Sequence, residues 1–275
     1  MQPHFNHDAL GRPVLDLRTE AAARRPDLSA LPPLTDDERA IAIRTWRGRM
    51  VNEHVSAQVW ASLVPQLMRA AAPPAALSGA ASAIAEELRH AEMCAGVVLA
   101  LGGVPVATLP PITPVPEHDD VGPLEGVLRN IVSVGCMSET IAVSVIRAEH
   151  AEIEGGPLGD VLGAILADEV SHARFGWSLL GILLPRLDAE ARARLTAYLV
   201  DAFAHQVQYE VPKLPLTPNL TDEVTQAGVC DGAFARSLFV QTIDDVIVPG
   251  LESAGLGARA AWAQAQTETQ HVFSH

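Results

Sequence analysis

The stretch "ADEVSHARFGW", residues 167–177, decides how this chain folds. It sets Asp168, Glu169 and His172 among Ala, Val, Phe and Trp. A helix through such a setting turns one apolar face inward, and burying an unpaired carboxylate there costs several kcal/mol. The compensation for Glu169 has to come from elsewhere in the chain.

Glu169 and His172 form a Glu-x-x-His pair, and residues three apart share a helix face. The same spacing recurs at Glu87/His90 and at Glu268/His271, so the motif alone is weak. Its context is a series of helices. Apolar periodicity, cut by Pro and Gly, predicts helices over 36–71, 75–102, 123–153, 157–185, 188–211, 230–253 and 258–273. Thr35, followed by Asp36 and Asp37, reads as the N-cap of the first. The first four form two hairpins, turning at "AAPP" (71–74) and at Gly155-Gly156. The connection "VPVATLPPITPVPEHDDVG", with five prolines, joins them and has little chance of being helical. Two long hairpins with one crossover make the ferritin-like four-helix bundle. The expected fold is therefore all-α. Residues 36–185 form the bundle, 1–35 an irregular arm, and 186–275 further helices of the same domain. No stretch reads as a strand.

Register then supplies the compensation. Residues equidistant from a hairpin turn face each other. Position 53 mirrors the centre of 87 and 90 about a midpoint near 71, and 139 mirrors the centre of 169 and 172 about one near 155. Glu53 and Glu139 both stand mid-helix, far from the termini where acids are cheaply accommodated. Four carboxylates (Glu53, Glu87, Glu139, Glu169) and two imidazoles (His90, His172) thus meet at one level. Their charge of −4 matches two divalent cations.

With this ligand set the sequence resembles the ferritin-like di-iron carboxylate superfamily, which includes rubrerythrins, bacterial multicomponent monooxygenases and acyl carrier protein desaturases. The resemblance covers residues 36–185. It implies that Glu53, Glu87 and His90 hold one iron, that Glu139, Glu169 and His172 hold the other, and that one or two glutamates bridge. It also implies that the acids preceding each motif orient the opposite histidine, Asp168 bonding His90 and Glu86 bonding His172. A ligating imidazole needs such an anchor on its second nitrogen. Arg89 is placed to tie the two acids together.

The chain departs from several members of that superfamily. Ile165 stands where some arylamine N-oxygenases have a third histidine, and Val143 where many oxygenases have Thr. Ala142 replaces a further glutamate typical of rubrerythrins. Cys94 stands where ribonucleotide reductase radical subunits have Tyr, and the chain's two tyrosines are Tyr198 and Tyr209.

Composition narrows the function further. The chain has 275 residues, 48% apolar and 4% aromatic, which favours packed helices over sheets. With 19 basic against 33 acidic residues its net charge is −14, a poor match for nucleic acid or an anionic membrane. Cys94, Cys136 and Cys230 are odd in number and form no CxxC, which fits a reducing cytoplasm. No apolar signal segment opens the chain, and no membrane span is expected.

The expected activity is that of a non-haem di-iron oxygenase or oxidase acting on O₂ and a small organic substrate, with an electron donor such as a ferredoxin or reductase. Mn–Fe or Mn centres are rivals to Fe–Fe. The alternatives are a rubrerythrin-like or ferritin-like peroxidase or ferroxidase, and a non-enzymatic di-metal protein. Trp46, Met50, Trp60 and Phe175 are positioned to wall an apolar pocket, or simply to pack, and residues 211–229 to cover it. The last three helices serve either a homodimer contact or bracing of the bundle. Glu268/His271, opposite Asp244/Asp245, is a weaker candidate for a second metal site.

Overall fold

The computed structural model describes residues 7–8, 10–111, 114–153, 155–214 and 220–273, without the side chains of His271 and Phe273. A short arm leads in through β1 (Val14–Asp16) and α1 (Arg18–Ala23). The first hairpin is α2 (Asp36–Arg69) and α3 (Pro74–Ala100), and β2 (Val106–Thr108) lies in the crossover. The second hairpin is α4 (Pro123–Glu152) and α5 (Gly156–Leu183).

Helix limits follow local chemistry. Thr35 Oγ1 accepts the Glu38 backbone N–H, while Glu38 Oε2 accepts that of Thr35 at 2.8 Å. This reciprocal cap stabilises the start of α2 by about 1 kcal/mol. Pro74 opens α3 at a position that needs no N–H. Between α4 and α5, Gly155 and Gly156 take φ values of 87° and 76°, a left-handed backbone that a side chain would penalise.

Two features differ from expectation. The arm is irregular only in part: α1 lies on α3, with Ala21 fully buried. The close approach depends on Gly96, where a Cβ would fall 2.4 Å from the Arg24 carbonyl oxygen. Strands also form. β1 pairs antiparallel with β2, Leu15 opposite Ala107, and so stitches the arm to the crossover. Three-residue strands are too short to leave a legible alternation.

α4 is interrupted by a π-helical stretch, Val132–Ser138, directly before Glu139. Here α4 and α5 touch backbone to backbone, and a Cβ on Gly135 would fall 2.7 Å from the Gly176 Cα. The Ser133 carbonyl accepts from Gln206 Nε2 at 2.8 Å and from Ser138 Oγ at 3.1 Å, so the widened turn keeps its polar groups satisfied. By length and composition α4 could cross a membrane, yet it carries buried Glu139 among the other bundle helices.

Gln206 belongs to α6 (Ala189–Glu210), which leads to α7 (Asp222–Gln226) and α8 (Gly232–Thr242). After a second π-helical stretch come α9 (Val248–Ser253) and α10 (Ala258–Glu268). Leu199 and Phe203 of α6, Phe239 of α8 and Trp262 of α10 join Trp60, Leu63 and Leu180 of the bundle in one apolar cluster. A second cluster gathers Trp46, Met50, Cys94, Leu162 and Ile165. Along α2, α3 and α5, residues 53, 87, 90, 169 and 172 fall between the two clusters. The bundle therefore contains a polar layer with apolar packing on either side.

Candidate metal centre

Helical register brings those five residues together with Glu139 of α4. All are buried, and Glu53 at 9% is the most exposed. Two overlapping donor sets form, each with its ligand atoms within 4.8 Å of one another: Glu53, Glu87, His90 and Glu169, and Glu87, Glu139, Glu169 and His172. Glu87 and Glu169 belong to both and so stand between two potential ions.

The imidazoles are aimed. His90 Nδ1 lies 3.4 Å from both Glu53 and Glu169 and 3.7 Å from Glu87. His172 Nδ1 lies 3.3 Å from Glu87, 3.7 Å from Glu169 and 3.8 Å from Glu139. Their other nitrogens are tied outward across the bundle, His90 Nε2 to Asp168 at 3.0 Å and His172 Nε2 to Glu86 at 2.8 Å. With an ion in place each Nε2–H would donate to its carboxylate, leaving the Nδ1 lone pair facing the cluster. Arg89 braces Asp168 at 2.5 Å, whereas Glu86 accepts from Ser82 at 3.1 Å, so Arg89 is not the common tie of both acids.

Sequence reasoning missed one contact. Trp60 Nε1 donates to Glu139 Oε1 at 3.0 Å, and its ring lies 6.2 Å from that of His172. The signal was available, since Trp60 follows Glu53 by two helical turns on the same face. The expected apolar pocket is not built from these residues: Trp46, Met50 and Trp60 are packed to 1% exposure or less. Phe175 fills the space over Gly79, where a Cβ would fall 2.4 Å from its ring.

The electrostatics of the layer call for positive charge. Burial pushes the Glu53 carboxyl up to about 8, and the charges of Glu169 and Glu87 add to that. Burial likewise pushes Glu139 well above the carboxylate range, helped by the same two neighbours. Burial opposes a charged His172, but the neighbouring Glu169 and Glu87 carboxylates prevail and hold it up at about 11. His90 is raised in the same way, against burial, by Glu169, Glu53 and Glu87. Glu169 is pulled down to about 2 by His172 and His90 despite its burial. Glu87 Oε2 and both Nδ1 atoms are buried without a hydrogen-bond partner. Orphaned donor atoms converging in a dry, acid-rich layer fit a pair of divalent cations.

The expected cover over the bundle lies partly outside the described residues, at 215–219. The rest is fastened down, since Trp46 Nε1 donates to the Ala227 carbonyl and Arg49 to that of Gly228. At the C-terminus Glu268 accepts from Gln264, and Asp244 from Trp262 Nε1 at 2.7 Å. The side chain of His271, needed for the weaker second site, lies outside the described residues.

One solved structure, described as "Protein 19 with aldehyde deformylating oxidase activity from Synechococcus", superposes with a TM-score of 0.59. The match covers 85% of this chain and 98% of that one, at 20% identity. The fold is ferritin-like. No family model matches the sequence, and no relative is found among curated proteins.

Proposed function

We propose that the protein is an O₂-activating di-iron oxidoreductase that oxidises a small organic substrate. The observation that carries this reading is the pair of unpartnered Nδ1 atoms, His90 and His172, facing four buried carboxylates. Glu53 and His90 would hold one iron and Glu139 and His172 the other, with Glu87 and Glu169 shared. Iron pairs in such oxygen-rich, nitrogen-poor sites supply electrons and open coordination positions for reducing O₂. Manganese in one or both positions suits the same donors.

The chain's own residues have distinct tasks. Asp168 and Glu86 fix the tautomer of each histidine. Trp60 holds one oxygen of Glu139, restricting how that carboxylate swings. The apolar clusters on either side keep water from the layer and strengthen its electrostatics. A reducing cytoplasm, where Cys94, Cys136 and Cys230 would stay unpaired, is the proposed setting, and a ferredoxin or reductase the proposed electron donor. The aldehyde deformylating oxidase activity of the Synechococcus protein lies within the proposed reaction class.

The test is anaerobic loading with Fe(II), removal of excess metal, and exposure to O₂. Two irons per chain and O₂ uptake by the loaded protein without free Fe(II) are expected. Uptake only while free Fe(II) is supplied would assign a ferroxidase instead, and a protein that holds metal but consumes no O₂ would reduce the site to metal binding.

A further inference from the structure

The two halves of the polar layer are held unequally. Glu139 follows directly on the π-helical turn that Gln206 braces, and its Oε1 is fixed by Trp60 Nε1 at 3.0 Å. Trp60 is itself packed against Phe175, with ring centroids 5.7 Å apart. Glu53, its counterpart on α2, lies in regular helix and is the most exposed of the six residues. Among the described residues no donor from outside the layer bonds it, and His90 Nδ1, inside the layer, lies 3.4 Å away. The imidazole anchors differ as well. His172 Nε2 meets Glu86 Oε2 at 2.8 Å, Ser82 donates to the other oxygen, and no Lys or Arg pairs with Glu86 among the described residues. His90 Nε2 meets Asp168 Oδ2 at 3.0 Å, and the Arg89 guanidinium takes that same oxygen at 2.5 Å.

We propose, on the di-metal reading above, that the two metal positions are unequal: the ion held by Glu139 and His172 binds first and stays, and the ion held by Glu53 and His90 binds second and exchanges. A carboxylate already fixed in place loses less freedom when it takes a metal. An imidazole whose N–H donates to a carboxylate of full charge is a more basic ligand than one whose anchor is shared with a guanidinium. Arg89 also sets a positive charge on the His90 side, which opposes a dication there. All three effects favour the same position. Glu87 and Glu169 serve both positions and do not decide between them. A site loaded in this order accepts a mixed pair by sequence of addition, the first ion at Glu139 and His172 and a different one at Glu53 and His90.

Titration of the metal-free full chain with Co(II) against a competing chelator tests this. In the parent the first ion should bind more tightly than the second. Repulsion between ions in two equal positions would give the same ranking, so variants assign it. Glu53→Gln should cost the first ion little and remove the second, whereas Glu139→Gln should weaken the first. Trp60→Phe keeps the ring and loses the N–H, and should weaken the first ion about tenfold while sparing the second. Arg89→Met changes a side chain that is 40% exposed, and should tighten the second ion while leaving the first unchanged. A variant that only loosened the fold would weaken both. If Glu139→Gln fails to fold, Trp60→Phe and Arg89→Met decide, because their effects fall on different ions with opposite signs. Equal loss of the first ion in Glu53→Gln and Glu139→Gln, or Trp60→Phe and Arg89→Met acting on both ions alike, overturns the order and leaves a dinuclear site. A parent that binds no Co(II) overturns the di-metal reading with it.

Discussion

Glu87 and Glu125 are buried to nearly the same degree, at 1% and 2% exposure, yet their surroundings are opposite. Glu125 is met by Arg129 at 3.0 Å and Arg194 at 2.8 Å, and beside it Asn130 bonds Gln66 at 2.7 Å and the Pro116 carbonyl at 2.8 Å. That end of the bundle brings its own counter-charge. Glu87 sits among other carboxylates and two imidazoles, with one oxygen unpartnered. The difference teaches how to read buried charge. Where the chain supplies the opposite charge, the cluster is architecture; where like charges converge with donor atoms left open, the chain is shaped for something it does not itself contain.

The sharpest way to break the comparison is to neutralise both shared carboxylates. Glu87→Gln with Glu169→Gln should cut bound metal from two ions per chain to nearly none by elemental analysis. A lower melting temperature with metal retained would show that the layer is structural.

Glu125→Gln should do the reverse. Removing one partner of a buried ion pair leaves Arg129 with the exposed Asp120 carboxylate at 3.0 Å, at a cost of about 3 kcal/mol. Urea unfolding should report that loss while metal content stays the same. Asp168→Asn is milder still. It loosens the anchor on His90, and titration against a competing chelator should show metal affinity about tenfold weaker with two ions still bound at saturation.

These two regions also differ in how far the sequence reveals them. Helix limits were legible because their signals are local: Thr35 as a cap, Pro73-Pro74 and Gly155-Gly156 as turns. The meeting of Glu53, Glu87, His90, Glu139, Glu169 and His172 was legible because hairpin geometry turns sequence distance into facing positions. What stayed hidden depends on contacts with no period. The π-helical stretch before Glu139 answers to Gly176 on another helix and to Gln206 on a third. The docking of α1 rests on the absence of a side chain at Gly96. The partners of Glu125 lie 4 and 69 residues away, and only the nearer is visible in a helical pattern.

The smallest expected effect concerns pH. In the self-neutralised region His118 Nε2 bonds Asn130 Oδ1 at 3.1 Å, and its ring meets Tyr198 edge-on. Burial holds this imidazole below its ordinary value of 6.5, with the Arg129 charge acting in the same direction and the Asn130 bond opposing. Below that value the unfolded chain binds a proton at His118 more readily than the folded one. Stability attributable to His118 is therefore complete above about pH 6.5 and falls as the pH drops toward the depressed folded value. Urea midpoints of the parent and His118→Gln, compared from pH 7.5 to 5, should converge on acidification as the parent loses the larger share. Parallel curves would mean that His118 is as easily protonated folded as unfolded, and that this end of the bundle tolerates an added positive charge beside Arg129.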